Sequence, residues 1–135
     1  MAENKNSQLL KVSLVIYAIV CMVYGLGYMF VSDFLVKLSG SAPVFHGWLR
    51  WSGGILVALS IGAFLVYRKP KGQGIFVTTI ALGSTLCCLA LFCAWATHEE
   101  EANLWFTALP AIIVSILAIL LWWSRQKAKD ILYPE

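Results

Sequence analysis

The residue with the clearest chemical potential is Arg50, which opens a long apolar run in the segment WLRWSGG. Asp33 lies just after the preceding apolar run. If the two runs form antiparallel helices, an Asp33–Arg50 ion pair would neutralise an arginine that is costly near lipid. Alternatively, the planar guanidinium could bind an anionic head group or a small carboxylate. The sequence leaves both interpretations of Arg50 open.

A second polar feature is a tyrosine stripe, formed by Tyr17, Tyr24 and Tyr28 together with Cys21. These four residues fall on one face of a helix. A tyrosine hydroxyl inside a bilayer needs a hydrogen-bond partner. The candidate partners in later apolar runs are Thr78, Thr79, Ser84, Thr85 and Ser115. The stripe therefore predicts interhelical hydrogen bonds or, alternatively, the polar wall of a ligand cavity.

Catalytic and metal-binding patterns are missing from the sequence. The cysteines, Cys21, Cys87, Cys88 and Cys93, form no CxxC motif and stand in apolar runs. No ionisable residue lies at the centre of an apolar run, although ion-coupled carriers normally need one. His46, His98 and the run Glu99–Glu101 are interpreted as solvated loop residues. We therefore expect no metal site, identify no cofactor, and favour a protein that is not an enzyme.

The composition requires a membrane. Of 135 residues, 60% are hydrophobic and 13% are charged, which is more apolar surface than a soluble domain of this size can bury. Four runs are long enough to span a bilayer, at about 9–31, 49–67, 75–96 and 104–123. Each must be helical because backbone amides have no water to bind in lipid. The sequence predicts a single all-α integral membrane domain over 1–135, an antiparallel bundle of four transmembrane helices.

Charge and aromatic residues predict the direction of the bundle. The basic residues of one side are Lys5, Lys11, Arg68, Lys69, Lys71, Arg125, Lys127 and Lys129, and only Lys37 and Arg50 fall on the other side. The positive-inside rule places both termini in the cytoplasm, and tryptophans mark both interfaces. We expect the bacterial inner membrane. A net charge of +3 gives no nucleic-acid patch.

The connections between the runs differ in length. SDFLVKLSGSAPVFHG, between the first two, predicts a short interfacial helix that Ser32 or Asp33 caps and Gly40 ends. RKPKGQG predicts a tight turn that pairs the second and third spans as a hairpin. Gly54, Ala58 and Gly62 recur every four residues, which favours close helix packing or contact with another protein.

Three of these segments carry a family resemblance. The aromatic, glycine-rich YGLGYMFVSDFLVKLSG is followed by LRWSGGILVALSIGAFLV and then by RKPKGQG. This order resembles the small four-helix bacterial membrane proteins related to DoxX, which often have Pro-Asp where this chain has Ser32-Asp33. The resemblance implies Asp33, Arg50, Gly53 and Gly54 as family-type residues. It also implies an accessory or redox role, since founding relatives are associated with a thiosulfate–quinone oxidoreductase.

Three functions remain open on these grounds. The first is a non-catalytic accessory subunit or partner-binding module, acting with other membrane subunits or as a homo-oligomer. The second is a binder or carrier of a lipid or quinone-like small molecule, using Arg50 and the tyrosine stripe. The third is a membrane redox subunit of the DoxX type. The lack of buried charge and of catalytic motifs favours the first.

Overall fold

The computed structural model describes residues 2–40, 46–97 and 103–134, and in these ranges it contains helices and no strand. The helices are α1 (Ala2–Phe30), α2 (Ser32–Ser39), α3 (Gly47–Arg68), α4 (Gly74–Thr97), α5 (Leu104–Lys127) and α6 (Lys129–Leu132). Four of them, α1, α3, α4 and α5, are long and apolar enough to cross a membrane. The predicted four-helix membrane fold is confirmed, although α1 begins earlier and α5 ends later than the sequence predicts.

The four long helices form two antiparallel pairs, α1 with α3 and α4 with α5. The Ser60 hydroxyl of α3 donates a hydrogen bond to the Ala18 carbonyl of α1, at 2.7 Å. The Trp122 indole of α5 donates to the Thr85 hydroxyl of α4, at 3.0 Å. Packing of α1 against α5 joins the two pairs.

The predicted hairpin between the second and third spans is wrong in its packing. The turn exists, with Gly72 at a φ of 77° and the Gln73 amide bonded to the Pro70 carbonyl. However, α3 packs mainly on α1 and α4 mainly on α5. Contact between α3 and α4 occurs near the turn, where the Phe76 ring lies against Gly62. A short turn brings two helix ends together, but it does not decide which faces pack.

The buried core lies toward one end of the bundle. We call this the basic end, because the start of α1, the α3–α4 turn and the end of α5 bring their basic residues there. We call the opposite end the α2 end. The largest buried side chains are Leu10, Leu14, Ile80, Leu121, Leu132 and Val77, and all of them lie in the half toward the basic end. In contrast, the second half of α4 exposes most of its side chains.

The short helix α2 follows α1 almost directly, as predicted. Gly40 ends it in the left-handed region, at a φ of 74°, which is the role that glycine fills most readily. The predicted caps are wrong, because Val31 is the N-cap and no side chain caps the helix. Asp33 instead lies in the first turn, where its negative charge interacts favourably with the positive end of the helix dipole. The Asn103 amide bonds to the Ser39 carbonyl at 2.8 Å and so joins α2 to the start of α5.

Candidate functional site

The predicted ion pair between Asp33 and Arg50 is wrong in its partner. The Asp33 carboxylate lies 3.1 Å from Nδ1 of His46, and Arg50 forms no ion pair within the residues that the structure describes. His46 is the N-cap of α3 and lies one turn before Arg50, so it is the first side chain of that helix to approach α2. Arg50 is exposed at the α2 end, and its role in binding a ligand stays a prediction.

The other ring nitrogen of His46 is unusual. Nε2 is buried and has no hydrogen-bond partner in the described part of the chain, although 27% of the side chain is accessible. A buried polar atom without a partner is costly. The sequence offered little to identify His46, since a lone loop histidine is most often solvated. The one available signal was its position just before the second apolar run, near Arg50.

The tyrosine stripe of α1 changes character along its length. Tyr17 is only 6% exposed and belongs to the core with Cys21. Tyr24 and Tyr28 are half-buried and pack edge to face, with ring centroids 6.0 Å apart and planes at 70°. The same buried cluster includes Ile80 and Ala81 of α4. The part of the predicted face formed by Tyr17 and Cys21 therefore lies in the core.

The hydroxyl groups proposed as partners for the tyrosines are engaged elsewhere. Thr85 accepts its hydrogen bond from Trp122, and the Ser115 hydroxyl lies 3.0 Å from the Cys88 thiol. Thr78 accepts a hydrogen bond from Arg125 Nε at 2.6 Å. The remaining two candidates, Thr79 and Ser84, donate to carbonyls of their own helix. In the described structure, none of these five hydroxyl groups forms a hydrogen bond with Tyr17 or Tyr24.

The predicted small-residue face of α3 is only partly a packing face. Gly62 packs closely, since a Cβ there would lie 2.6 Å from the Phe76 ring. In contrast, a Cβ on Gly54 would meet no atom within 4 Å, and Ala58 is exposed. Packing by Gly54 and Ala58 inside this bundle is therefore wrong, while contact with another protein stays a prediction. The reason is that α3 turns its adjacent face toward α1.

The closest backbone contact joins Gly25 of α1 to Gly53 of α3. A Cβ on Gly53 would lie 2.6 Å from the Gly25 carbonyl oxygen, and a Cβ on Gly25 would lie 2.9 Å from the Gly53 carbonyl oxygen. Only glycines allow two helices to approach this closely. The sequence showed Gly53 and Gly54 as adjacent candidates about 100° apart around the helix, and four-residue spacing selected the wrong one.

The halves of α3 and α4 that lie toward the α2 end do not pack on each other. We call the region between them the α3–α4 gap. Gly83 lies seven residues after Phe76 and so shares its face toward α3. Gly83 is exposed, and a Cβ there meets no atom within 4 Å, as on Gly54. Ala58, four residues before Gly62, is exposed as well. The contact between the two helices is thus at Gly62–Phe76, while toward the α2 end Ala58 of α3 and Gly83 of α4 are exposed.

The C-terminal segment closes the basic end, which the sequence did not predict. Tyr133 lies over Gly74, where a Cβ would meet its ring, and its hydroxyl lies 2.8 Å from the Thr78 hydroxyl. Arg125 stacks on the Trp122 and Tyr133 rings at 5.4 and 5.5 Å and donates to the Tyr133 hydroxyl. The hydrogen bond with Thr78, and then Arg125, lower the pKa of Tyr133.

The remaining candidate groups show no reactive arrangement in the described residues. All four cysteines are free, and no cluster of three histidine, cysteine or acidic side chains could hold a metal ion within the described part of the chain. His98 and Glu99–Glu101 lie outside the described residues.

We compared the chain with protein-family models, with curated proteins and with solved structures, and found no match in any of them.

Proposed function

We propose that this integral membrane protein is a non-catalytic partner-binding subunit, and that it receives a transmembrane helix of its partner in the α3–α4 gap. The observation that carries this proposal is the open space beside Gly54 on α3 and Gly83 on α4. Helix association in lipid depends on close packing, for which small residues on both walls are suited. The resemblance to DoxX-related proteins adds support for an accessory role.

The packing around the gap favours its occupation by a partner helix over its closure by α3 and α4. The contact of Phe76 with Gly62 holds α3 and α4 together toward the basic end. Helix α1 already packs against α3 and α5. Closing the gap would therefore require α4 to leave α5. A partner helix could instead enter from the α2 end and contact Ala58 and Gly83 together.

The proposed orientation places the basic end in the cytoplasm of a bacterial inner membrane. Arg68 and Lys69 lie at one end of α3, and Arg125 and Lys127 lie at the same end of the bundle on α5. The positive-inside rule supports this direction.

The proposal is tested by photo-crosslinking in the native membrane. A photoreactive amino acid is placed at Ala58, at Gly83 and, as a matched control, at Ala96, an exposed residue on the opposite face of α4. We expect one protein adduct of the same mass from positions 58 and 83, and none from 96. That adduct should disappear when Gly54→Leu fills the gap. A mass of two chains would identify the partner as a second copy.

Adducts with lipid alone, or the same protein adduct from all three positions, would contradict a helix-binding gap. The fold itself is checked separately by the unfolding midpoint of Gly54→Leu. Because Gly54 has open space beside it, that midpoint should stay close to the midpoint of the parent chain.

A second candidate is a binder of a lipid or quinone-like molecule. Tyr24 favours it, because its hydroxyl has no hydrogen-bond partner in the described structure while its ring is only half-buried. A quinone carbonyl could accept a hydrogen bond from that hydroxyl, with Arg50 farther out at the α2 end. In the crosslinking experiment, a reproducible small-molecule mass at position 83 that Tyr24→Phe removes would favour this function over the first.

A redox role of the DoxX type stays a prediction. Cys21 is buried and Cys87 is exposed, and both are free thiols in the described structure. Replacing all four cysteines with alanine without a growth defect under oxidative stress would count against it.

A further inference from the structure

A groove of about 550 Å³ lies at the basic end between α3 and α4. Its apolar lining comes from Gly62, Leu65, Val66 and Phe76, and its polar lining from Arg68, Lys69 and Gln73. This groove is distinct from the α3–α4 gap, because it lies around the Gly62–Phe76 contact and toward the turn. It therefore combines membrane-facing apolar surface with two cations at the edge of the bilayer.

The two cations of the groove have no acidic partner nearby. Arg68 is the last residue of α3 and Lys69 is its C-cap. Neither forms an ion pair within the described ranges, where the one contact between an acidic and a basic side chain is Asp33 with His46. Asp130 of α6 is the acidic side chain described at this end, and it too forms no ion pair with them. The positive charge of the groove is thus uncompensated within the described structure.

Helix ends add little to this positive potential, because the end of α3 and the start of α4 meet at the groove. The first amides of α4 carry a partial positive charge and the last carbonyls of α3 carry a partial negative charge. Arg68 and Lys69 therefore supply the positive charge, and Phe76 and Gln73 line the groove beside them. This lining favours an anion that stands beside apolar groups.

We infer that this groove binds the head group of an anionic phospholipid. The phosphate lies against Arg68 and Lys69, and the first carbons of the acyl chains lie against Leu65 and Phe76. A phospholipid presents a phosphate and apolar chains at this depth of a membrane. An anionic one has no choline cation that Arg68 and Lys69 would repel, and basic pockets between transmembrane helices bind such head groups. A soluble anion would gain nothing from the apolar half of the lining.

The test is native mass spectrometry of the full chain in mild detergent. Phosphatidylglycerol and phosphatidylcholine with the same acyl chains are titrated against the parent protein and the R68Q/K69Q variant. The matched control is K5Q/K127Q, which removes two exposed charges from the same end outside the groove. We expect the parent protein to retain phosphatidylglycerol over phosphatidylcholine. R68Q/K69Q should weaken that binding roughly tenfold or more, and K5Q/K127Q less than threefold.

Three results would overturn the inference. Equal retention of both lipids, or equal losses in the two double variants, would show that the groove does not select a head group. Inorganic phosphate that displaces phosphatidylglycerol at millimolar concentration would show a phosphate site instead of a lipid site. Both variants alter exposed side chains at helix ends, so an unchanged unfolding midpoint confirms that each is folded.

Discussion

The two helix pairs of this protein are held together in different ways. In the α1–α3 pair, Gly25 and Gly53 bring the two backbones together, so that a single added Cβ would lie 2.6 Å from a carbonyl oxygen. In the α4–α5 pair, side chains bridge the helices, as in the hydrogen bond from Trp122 to Thr85. Lipid gives helices little hydrophobic reason to associate, and close packing and interhelical hydrogen bonds are the two available replacements.

This difference predicts that the two pairs respond differently to substitutions at their contacts. The first pair should tolerate almost no added volume at its contact, because backbone atoms cannot move aside independently. The second pair should tolerate changes of volume but lose a small amount of stability with each hydrogen bond removed.

Gly53→Ala is expected to give the largest loss of stability. Its new Cβ meets the Gly25 carbonyl oxygen and the backbone of Met29, so α1 and α3 must separate. We expect the free energy of unfolding in mixed micelles to fall by about 2–3 kcal/mol. The matched control is Gly54→Ala, which has open space and should change stability by less than about 0.5 kcal/mol. Equal effects at both positions would show that the contact does not hold the pair together.

Arg125→Gln should cost less, although Arg125 fastens the basic end of the second pair. The substitution removes the hydrogen bonds to Thr78 and Tyr133 and the stacking on both rings. We expect a loss of about 1 kcal/mol in the same unfolding assay, because the site is partly exposed. Lys127→Gln, an exposed residue two positions on, serves as the control. An equal loss there would mean that only net charge matters.

Thr85→Val should have a smaller effect within the α4–α5 pair. It keeps the shape of the side chain but leaves the Trp122 indole without its acceptor. Interhelical hydrogen bonds in membranes contribute about 0.6 kcal/mol on average, and we expect a loss of that size. Thr79→Val is the matched control, since Thr79 bonds only to its own helix. A loss above about 2 kcal/mol would contradict the contrast between the two pairs.

The pair of Asp33 with His46 should contribute still less to the α2 end of the first pair. The Asp33 side chain is 68% accessible, and exposed ion pairs are worth at most about 1 kcal/mol. A double-mutant cycle of Asp33→Asn with His46→Gln should give a coupling of about 0.3–0.5 kcal/mol. The same cycle with Arg50→Gln should give none. Coupling to Arg50 alone would restore the partner that the sequence predicted.

The smallest effect concerns the titration of Tyr133. Because its pKa is lowered in the folded protein, folding favours the phenolate. The stabilisation is fully present above the unfolded pKa of about 10 and is lost as the pH falls through the folded pKa. The absorbance of tyrosinate near 295 nm, as parent minus Tyr133→Phe, should show this early titration. Thr78→Val should delay it to higher pH, whereas Thr79→Val should not.

The four spans and the short helix α2 could be predicted from the sequence, because both depend on local properties. A bilayer requires about twenty apolar residues in a helix, and the order of polar and apolar residues along the chain satisfies this requirement directly. Gly40 ended α2 as predicted for the same reason, since a left-handed residue is a local need. The tyrosine face of α1 also followed from periodicity alone.

The tertiary structure decided which of these faces meet. Gly53 and Gly54 are equally small, and only the rotation of α3 against α1 makes the first a contact and leaves the second open. Asp33 contacts His46 instead of Arg50, because the N-cap of α3 lies nearer α2 than the next turn does. The sequence does not choose partners for Thr85 and Ser115. The packing of α4 on α5 gives Thr85 its hydrogen bond from Trp122 and places Ser115 beside Cys88. The sequence determined what each helix presents, whereas partner choice depends on long-range packing among faces that are nearly equivalent in lipid.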